Sequence, residues 1–288
     1  MTKRLIVVAG PTAVGKTAFA IRLARQFETE VVSCDSRQFY KELDIGVARP
    51  SPAELNAVRH HFIADRPVSQ PLNVYTFEQE AMGRLASLFA SHDVVVAVGG
   101  SWLYVQALCC GVSLLPDPAP ELRASLHRLL QDEGIAALQQ RLLQLDPTGY
   151  EQIDRQNPAR LQRAIEISVT CGRPYSEVIH QAPRPRPFAI EKWALDCDRA
   201  LLRRRIDDRV DDMMHRGLLD EAQSLLPLRD LNTLNTVGYK ELFAYFDGKL
   251  SLEEAVVRIK LDTWHYAKKQ LTWLRKQPDL RWVDAGQA

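Results

Sequence analysis

The sequence lacks the features that mark a disulfide-bonded, zinc-binding or membrane-spanning protein. Its five cysteines are scattered over 288 residues without a C-x-x-C spacing, which argues against a disulfide framework or a common zinc site. No apolar run approaches the ~20 residues that a membrane helix needs, and the first residues do not resemble a signal peptide. We therefore expect a reduced, soluble, cytoplasmic protein that does not associate with membranes.

The sequence also has no excess of charge of either sign. Its formal net charge is +1, so the overall charge predicts no strong non-specific attraction to nucleic acid. Basic residues are nevertheless concentrated between Arg258 and Arg281, where Trp264, Tyr266 and Trp273 alternate with them. This pattern fits a solvated helix face with aromatic side chains in the core, or a surface that follows a phosphate backbone.

The most informative segment is residues 10–17. It follows an apolar run over residues 5–9 and precedes a segment with helical apolar spacing, residues 18–24. Strand, G-x-x-x-x-G-K-T and helix are the context of a phosphate-binding P-loop, in which Lys16 reaches the terminal phosphate and the Thr17 hydroxyl holds Mg²⁺. The predicted diphosphate or triphosphate site consists of Gly10, Pro11, Thr12, Ala13, Val14, Gly15, Lys16 and Thr17.

Two further apolar runs indicate the functional edge of a parallel sheet. Residues 30–34 lead into Asp35, which we expect beside the P-loop as a proton acceptor, or as an aspartate that only caps its turn. Residues 94–98 lead into Gly99 and Gly100 rather than an acidic residue, which counts against ATP hydrolysis. The glycines indicate either a close approach of the backbone to a ligand or a tight strand-to-helix turn.

Two proline-rich segments, residues 116–120 and 183–187, divide the sequence. Between them the spacing predicts helices and no convincing strand. We predict an α/β protein with a P-loop NTPase-like, doubly wound parallel sheet from residues 1–115 and 188–288, and a helical insertion domain at 116–187; the alternative is an insertion that packs as an integral layer. The predicted helices cover 121–132, 135–145, 149–154, 158–171, 199–216, 218–226, 238–247 and 252–276, with a strand at 188–195.

Taken in order, these segments resemble the tRNA dimethylallyltransferases, also called tRNA isopentenyl transferases, over nearly the whole chain. The P-loop alone is generic, but the ordered set of motifs is specific. Two departures are Ser101, where the family usually has threonine, and His265, where an arginine is usual. The matching motifs lie at 10–17, 35–46, 60–63, 74–77, 99–104, 157–166, 237–240 and 266–273.

The resemblance implies transfer of a dimethylallyl group from dimethylallyl diphosphate to the exocyclic amine of the adenosine 3′-adjacent to the anticodon in tRNA. N6-(dimethylallyl)adenosine and diphosphate are then the products, and the P-loop holds the leaving group instead of the ATP or other nucleotide that such loops commonly bind. Asp35 would be the base, while Thr12, Lys16 and Arg209 would stabilise the diphosphate. We expect Mg²⁺ as cofactor, the tRNA anticodon stem-loop as partner, and a monomer.

The resemblance also implies a surface for tRNA that is spread over several segments. The arginine and lysine side chains in it suit phosphates or stacking under a splayed base, whereas Ser101 and Gln38 suit base edges. Extrusion of the base costs about a few kcal/mol. The implied contacts are Asp35, Ser36, Arg37, Gln38, Ser101, Arg123, Ala159, Arg160, Leu161, Gln162, Arg163, Asn235, Thr236, Val237, Gly238, Tyr239 and Lys240.

Two other functions stay open on the residues alone. In a small-molecule P-loop kinase, Asp35 would activate an alcohol and the arginine run at 203–209 would cover ATP; the absent acidic residue after the third strand and the large insertion argue against it. In a non-enzymatic P-loop module, the chain would bind a nucleotide and a partner. The carboxylate of Asp35 at the phosphate edge argues against that function.

Overall fold

A six-stranded parallel sheet forms the centre of the computed structural model, which describes residues 2–179 and 184–286. The strand order is β3-β2-β4-β1-β5-β6, and each neighbouring pair is parallel. The strands are β1 Arg4–Ala9, β2 Val31–Ser33, β3 His60–His61, β4 Val94–Val98, β5 Ala189–Asp196 and β6 Leu280–Asp284. The predicted α/β class with a doubly wound parallel sheet is confirmed.

The central strands are apolar without interruption because both faces of the sheet are covered. Successive residues of β1 alternate between two cores: Leu5 and Val7 pack on one side, and Ile6 and Val8 on the other. Each of these four side chains is at most 1% exposed. A run of this kind holds the carboxyl ends of β1, β2 and β4 in fixed register at one edge of the sheet, where the predicted site residues follow.

Helices surround the sheet and continue beyond it. Ser51 and Ser251 are the N-caps of two of them, and each forms a capping box with the glutamate three residues later. Two short 3₁₀ helices lie at Leu226–Leu228 and Asn232–Leu234. The α-helices are α1 Lys16–Gln26, α2 Pro52–Ala57, α3 Val74–Phe89, α4 Trp102–Cys110, α5 Pro120–Glu133, α6 Ile135–Leu145, α7 Pro147–Gln152, α8 Pro158–Cys171, α9 Tyr175–Ile179, α10 Arg199–His215, α11 Leu218–Ser224, α12 Tyr239–Phe246 and α13 Leu252–Leu274.

The predicted helices correspond to α5–α8 and α10–α13, with ends that differ by a few residues. No range was predicted for α2, α3, α4, α9, β3, β6 or the two 3₁₀ helices. The helix α9 is only five residues long, too short to show a helical period. The strand β6 pairs with β5 alone and is largely exposed, so its sequence has no buried apolar run.

The chain forms two compact units, Met1–Cys110 with Pro185–Ala288 and Gly111–Arg184. The first contains the sheet. The second contains α5–α9 around its own apolar core, which includes Leu126, Leu138 and Leu161. The boundaries predicted at 116 and 187 lie a few residues further along the chain, and Pro183 of the predicted second linker falls outside the described residues. In the described part of the chain, no helix is long and apolar enough to cross a membrane.

Candidate active site

The P-loop connects β1 with α1 through backbone conformations that favour glycine. Gly10 and Gly15 have φ angles of 153° and 103°, and a Cβ atom on Gly10 would lie 2.9 Å from the carbonyl oxygen of Leu195. Gly15 precedes α1 and offers it no side-chain cap. The first amide groups of α1 are therefore open to an anion, with the positive end of the helix dipole behind them.

Three cationic side chains converge on this loop. Lys16 Nζ donates to the carbonyl oxygen of Pro11 at 2.7 Å, Arg205 Nη1 to that of Val14 at 3.2 Å, and Arg209 Nη1 lies 3.4 Å from Thr12 Oγ1. Within residues 2–179 and 184–286, none of the three cations forms an ion pair. Arg205 and Arg209 reach the loop from one face of α10, as their i, i+4 spacing requires.

The electrostatics of the loop favour a bound anion. Burial lowers the pKa of Lys16 to about 8; the neighbouring charge of Arg209 lowers it as well, and Asp35 raises it. Burial also lowers the pKa of Arg209, against the opposing charges of Glu54 and Asp212. A negatively charged ligand would relieve the cost of holding these cations together away from water.

Asp35 follows β2, two strands from β1, and faces the same edge of the sheet. Thr12, Asp35, Ser101 and Arg209 line one cavity of about 440 Å³. Oδ1 of Asp35 accepts the backbone N–H of Arg37 at 2.9 Å, so the aspartate does cap its own turn. Its Oδ2 accepts no hydrogen bond from any described residue, and a substrate proton could be received there.

The turn after β2 is tied to the turn after β4 by two serines. Ser101 Oγ accepts the backbone N–H of Ser36 at 3.1 Å and lies 3.0 Å from Ser36 Oγ. The glycines before Ser101 make room for the protein itself: a Cβ on Gly99 would lie 2.7 Å from the backbone of Cys34, and one on Gly100 would lie 2.5 Å from Gln270 Nε2. This close packing fits the tight-turn interpretation, and the approach of a ligand to these glycines stays a prediction.

Two of the predicted RNA contacts after β2 are engaged within the protein. The guanidinium of Arg37 donates to the carbonyl oxygen of Thr233 at 2.9 Å. The amide of Gln38 donates to the carbonyl oxygens of Val47 and Ala48 at 3.2 and 2.9 Å. These side chains hold the cavity wall in place, and their contacts with RNA stay a prediction.

The segment 235–240 borders the same cavity, with one exception. Asn235, Thr236, Val237, Gly238 and Lys240 line it. Tyr239 is fully buried and donates its hydroxyl to Glu221 Oε1 at 2.5 Å, so its side chain cannot be part of an RNA-binding surface. This prediction is corrected because Tyr239 belongs to the apolar core.

In the unit Gly111–Arg184, the residues predicted to contact tRNA differ in their exposure and in their ion pairs. Arg123 and Arg163 both pair with the buried Glu166 at 3.2 Å, whereas Arg160 is exposed and pairs with no described residue. Leu161 is fully buried in the core of this unit, which corrects its prediction as a tRNA contact. Ala159, Arg160 and Arg163 line a cavity of about 460 Å³. Gln162, which precedes Arg163, is partly buried.

The basic carboxyl-terminal helix α13 has features of both predicted patterns: an aromatic side chain in the core, and an exposed cation on the surface. Trp264 is buried, and Lys268 Nζ lies 5.7 Å from the centre of its ring. Lys269 is exposed without an ion pair among the described residues. His265, at the position of the family's usual arginine, lies 3.8 Å from Asp262. Part of this helix thus serves the core, and Lys269 remains available for a partner.

Comparison with known proteins identifies the family. The family model for IPP transferase matches residues 38–277. A tRNA dimethylallyltransferase from Christiangramia forsetii is 46% identical over 284 residues, which cover 99% of this chain and 94% of that protein. The chain belongs to the IPP transferase family. The resemblance seen in the motifs is confirmed.

Solved structures of this family have the same fold. A full-length tRNA isopentenylpyrophosphate transferase from Bacillus halodurans superposes with a TM-score of 0.71 at 32% identity, over 98% of this chain and 90% of that one. A eukaryotic dimethylallyltransferase, described as acting on tRNA, superposes with a TM-score of 0.81 at 27% identity, over 99% of this chain and 74% of that one.

Two residues of the IPP transferase site were given no role by sequence reasoning. Glu221 accepts the backbone N–H groups of Ile45 and Gly46 at 2.8 and 2.9 Å. It thereby fixes a loop that lines the cavity beside Asp35. Gln270 contacts both the P-loop and the turn after β4. Each partner is more than a hundred residues away in sequence, so no local pattern could have indicated the contact.

The chain has a place that suits Mg²⁺. Thr17, Ser33 and Asp35 border one small cavity of about 30 Å³ beside Lys16. Two hydroxyl oxygens and a carboxylate form a hard donor set of the kind that Mg²⁺ prefers, and this ion commonly keeps water in its remaining positions. The donors therefore fit the metal predicted from Thr17.

Proposed function

We propose that the chain transfers a dimethylallyl group from dimethylallyl diphosphate to the exocyclic amine of the adenosine 3′-adjacent to the anticodon in tRNA. One observation carries the proposal: a carboxylate with a free oxygen, Asp35, shares a cavity with Thr12 and Arg209 of the phosphate-binding end. Membership of the IPP transferase family supports the same reaction class.

The phosphate end accounts for the leaving group. Lys16, Arg205 and Arg209 supply positive charge where the bond between the allylic carbon and the bridging oxygen breaks, and the open amides of α1 add oriented dipoles. Such preorganised charge acts on the diphosphate as its negative charge grows, which is when stabilisation accelerates a reaction. Mg²⁺ held by Thr17 would add charge neutralisation for the diphosphate.

The nucleophile end accounts for the proton. As the adenine nitrogen forms its bond to the primary allylic carbon, diphosphate departs with the bonding electrons of the carbon–oxygen bond. The nitrogen then carries an extra proton, and Oδ2 of Asp35 receives it. The turn that Asp35 caps and the Ser36–Ser101 contacts hold the carboxylate in place, which favours a fixed geometry of attack.

The cavity also provides apolar surface for the transferred hydrocarbon. Val47, Val210, Met213 and Ile259 line it. A five-carbon allylic group can lie against these side chains, and the exclusion of water there protects the reactive carbon from hydrolysis. This arrangement suits an isoprenoid donor better than the γ-phosphate of ATP.

The partner is proposed as the anticodon stem-loop of tRNA, bound by a monomer in the cytoplasm. Arg160 and Lys269 are exposed cations without ion pairs among the described residues, and they suit backbone phosphates. The target adenosine must leave its stack to reach Asp35, which costs less in a loop than in a duplex.

The experiment is a transfer assay that is run once with labelled dimethylallyl diphosphate and once with ATP labelled in its γ-phosphate. The chain is incubated with total tRNA, Mg²⁺ and dimethylallyl diphosphate labelled in the allylic group, and the tRNA is digested to nucleosides. We expect the label in N6-(dimethylallyl)adenosine, and none in tRNA that lacks adenosine beside the anticodon. Label transferred only from the γ-phosphate of ATP to a small acceptor would refute the proposal in favour of a kinase.

A further inference from the structure

The side chain of Gln270 connects two segments that carry the proposed chemistry. This residue of α13 is 8% exposed. Its Oε1 accepts the backbone N–H of Thr12 at 2.8 Å, and its Nε2 donates to the carbonyl oxygen of Gly100 at 2.8 Å. Both ends of one amide are thus used, one on the P-loop and one on the turn after β4.

The side chain of Gln270 packs closely against Gly100. A Cβ atom on Gly100 would lie 2.5 Å from Gln270 Nε2 and 3.5 Å from Lys16 Nζ. The absence of a side chain at Gly100 lets the glutamine and the P-loop lysine approach the same turn. Replacement of this glycine would therefore disturb both at once.

The contact continues to the proton acceptor. Gly100 is followed by Ser101, whose hydroxyl accepts the backbone N–H of Ser36. Ser36 directly follows Asp35. The hydrogen bonds of Gln270 therefore link the loop that holds the leaving group with the turn that holds the base, through a short path of backbone and serine contacts.

We infer that Gln270 is a positioning residue that fixes the P-loop relative to Asp35. The inference rests on the proposed function for its effect on rate, but its effect on phosphate binding is independent of it. Because Oε1 occupies the Thr12 amide, that amide is withheld from the phosphate. Thr12 then serves the anion through its hydroxyl, beside Arg209.

A structural role alone, in which Gln270 only docks α13, makes a different prediction for one substitution. Gln270→Glu keeps an oxygen that accepts the Thr12 N–H. Its carboxylate cannot donate to the Gly100 carbonyl and repels it, whereas its protonated form can donate. Lowering the pH should therefore restore the link in this variant.

The test compares the single-turnover transfer rate of Gln270→Glu with that of wild type from about pH 8 to about pH 5, toward the ordinary glutamate pKa of about 4.3. The variant should be at least several-fold slower than wild type at about pH 8, and the ratio of the two rates should rise as the pH falls, because any pH dependence that both proteins share cancels in the ratio. A variant rate within about twofold of wild type at about pH 8, where the glutamate cannot donate, would overturn the positioning role. Gln223→Ala, at an exposed glutamine of α11, is the control.

Gln270→Ala gives a second measurement. A displaced leaving group should lower the transfer rate by roughly 10–100-fold without changing tRNA affinity, and binding of inorganic diphosphate, measured by calorimetry, should weaken by about three- to tenfold. Rate and diphosphate affinity both within about twofold of wild type would overturn the inference.

The two proposals fail in distinguishable ways. A wild-type chain that binds inorganic diphosphate but transfers no dimethylallyl group would refute the proposed function, and the diphosphate affinity of Gln270→Ala alone would then decide on Gln270. If Gln270→Ala does not fold, the decision rests on whether Gln270→Glu binds diphosphate more tightly, relative to wild type, at about pH 5 than at about pH 8.

Discussion

The two units of the chain hold their cationic side chains in different ways. At the P-loop, the hydrogen bonds of Lys16, Arg205 and Arg209 within the described part of the chain go to oxygens of the loop. In the unit Gly111–Arg184, Arg123 and Arg163 share the carboxylate of Glu166. Unpaired cations beside an open helix terminus are placed for a small, highly charged ligand. The two arginines of the helical unit instead have their charge balanced by Glu166 within the fold.

The difference indicates how each unit can meet an anion. At the P-loop, a ligand has no carboxylate of the described residues to displace from these three cations. In the helical unit, an RNA phosphate would compete with Glu166 for Arg123 and Arg163, whose side chains are 62% and 37% exposed. Because Glu166 itself is buried, a phosphate that draws an arginine away leaves a buried carboxylate with fewer partners, and this competition weakens an RNA contact.

The largest effect is expected from the proton acceptor, Asp35. Asp35→Asn should lower turnover by roughly 10²–10⁴-fold because the attacking nitrogen loses the group that takes its proton. Binding of dimethylallyl diphosphate and of tRNA should stay nearly intact, as measured by calorimetry. Turnover within a few-fold of wild type would show that Asp35 only caps its turn.

A smaller but still large effect is expected from the unpaired cations. Arg209→Ala should weaken binding of dimethylallyl diphosphate by about 10–100-fold, since charge-assisted hydrogen bonds contribute roughly 1.5–3 kcal/mol. Arg204→Ala, at an exposed position of the same helix, is the matched control and should bind normally. Equal losses in both variants would mean that only the overall charge of α10 matters.

The lowered pKa of Lys16 predicts a pH dependence of the P-loop. The ammonium form binds the anion and dominates below about pH 8, the pKa to which burial lowers this lysine. Affinity for dimethylallyl diphosphate should therefore fall as the pH rises through this value, by up to about tenfold per pH unit. Lys16→Met is the control, because any pH dependence that comes from titration of the ligand remains in this variant. If its affinity falls with pH in parallel with that of wild type, Lys16 is not the titrating group.

The smallest effects are expected from the helical unit and from α13. Arg160→Ala should weaken tRNA binding a few-fold and reduce the slope of log affinity against log salt by about 0.7–0.9. Arg163→Ala should do less because Arg163 is paired with Glu166. The double variant Lys268→Ala/Lys269→Ala should also flatten the slope, mainly through exposed Lys269. An unchanged slope after loss of Arg160 would show that the helical unit does not hold RNA phosphates.

The sequence predicted the P-loop and the edge position of Asp35 because both depend on local spacing and on where strands end. It could not predict Glu221 or Gln270, whose partners are distant in sequence. Leu161 and Tyr239 were wrongly taken as RNA contacts since the resemblance carries over whole runs of residues, including those that face a core. In α8 the helical period separates the two sides: Arg160 and Arg163 lie outside while Leu161 faces inward.

The central claim is that the P-loop holds a prenyl diphosphate as leaving group. Calorimetric titration of the chain with dimethylallyl diphosphate and, separately, with ATP tests it most directly, each with Mg²⁺ and each repeated with Lys16→Met. The account predicts saturable binding of dimethylallyl diphosphate that Lys16→Met weakens by about tenfold or more. Lys16-dependent binding of ATP with no binding of dimethylallyl diphosphate would contradict it.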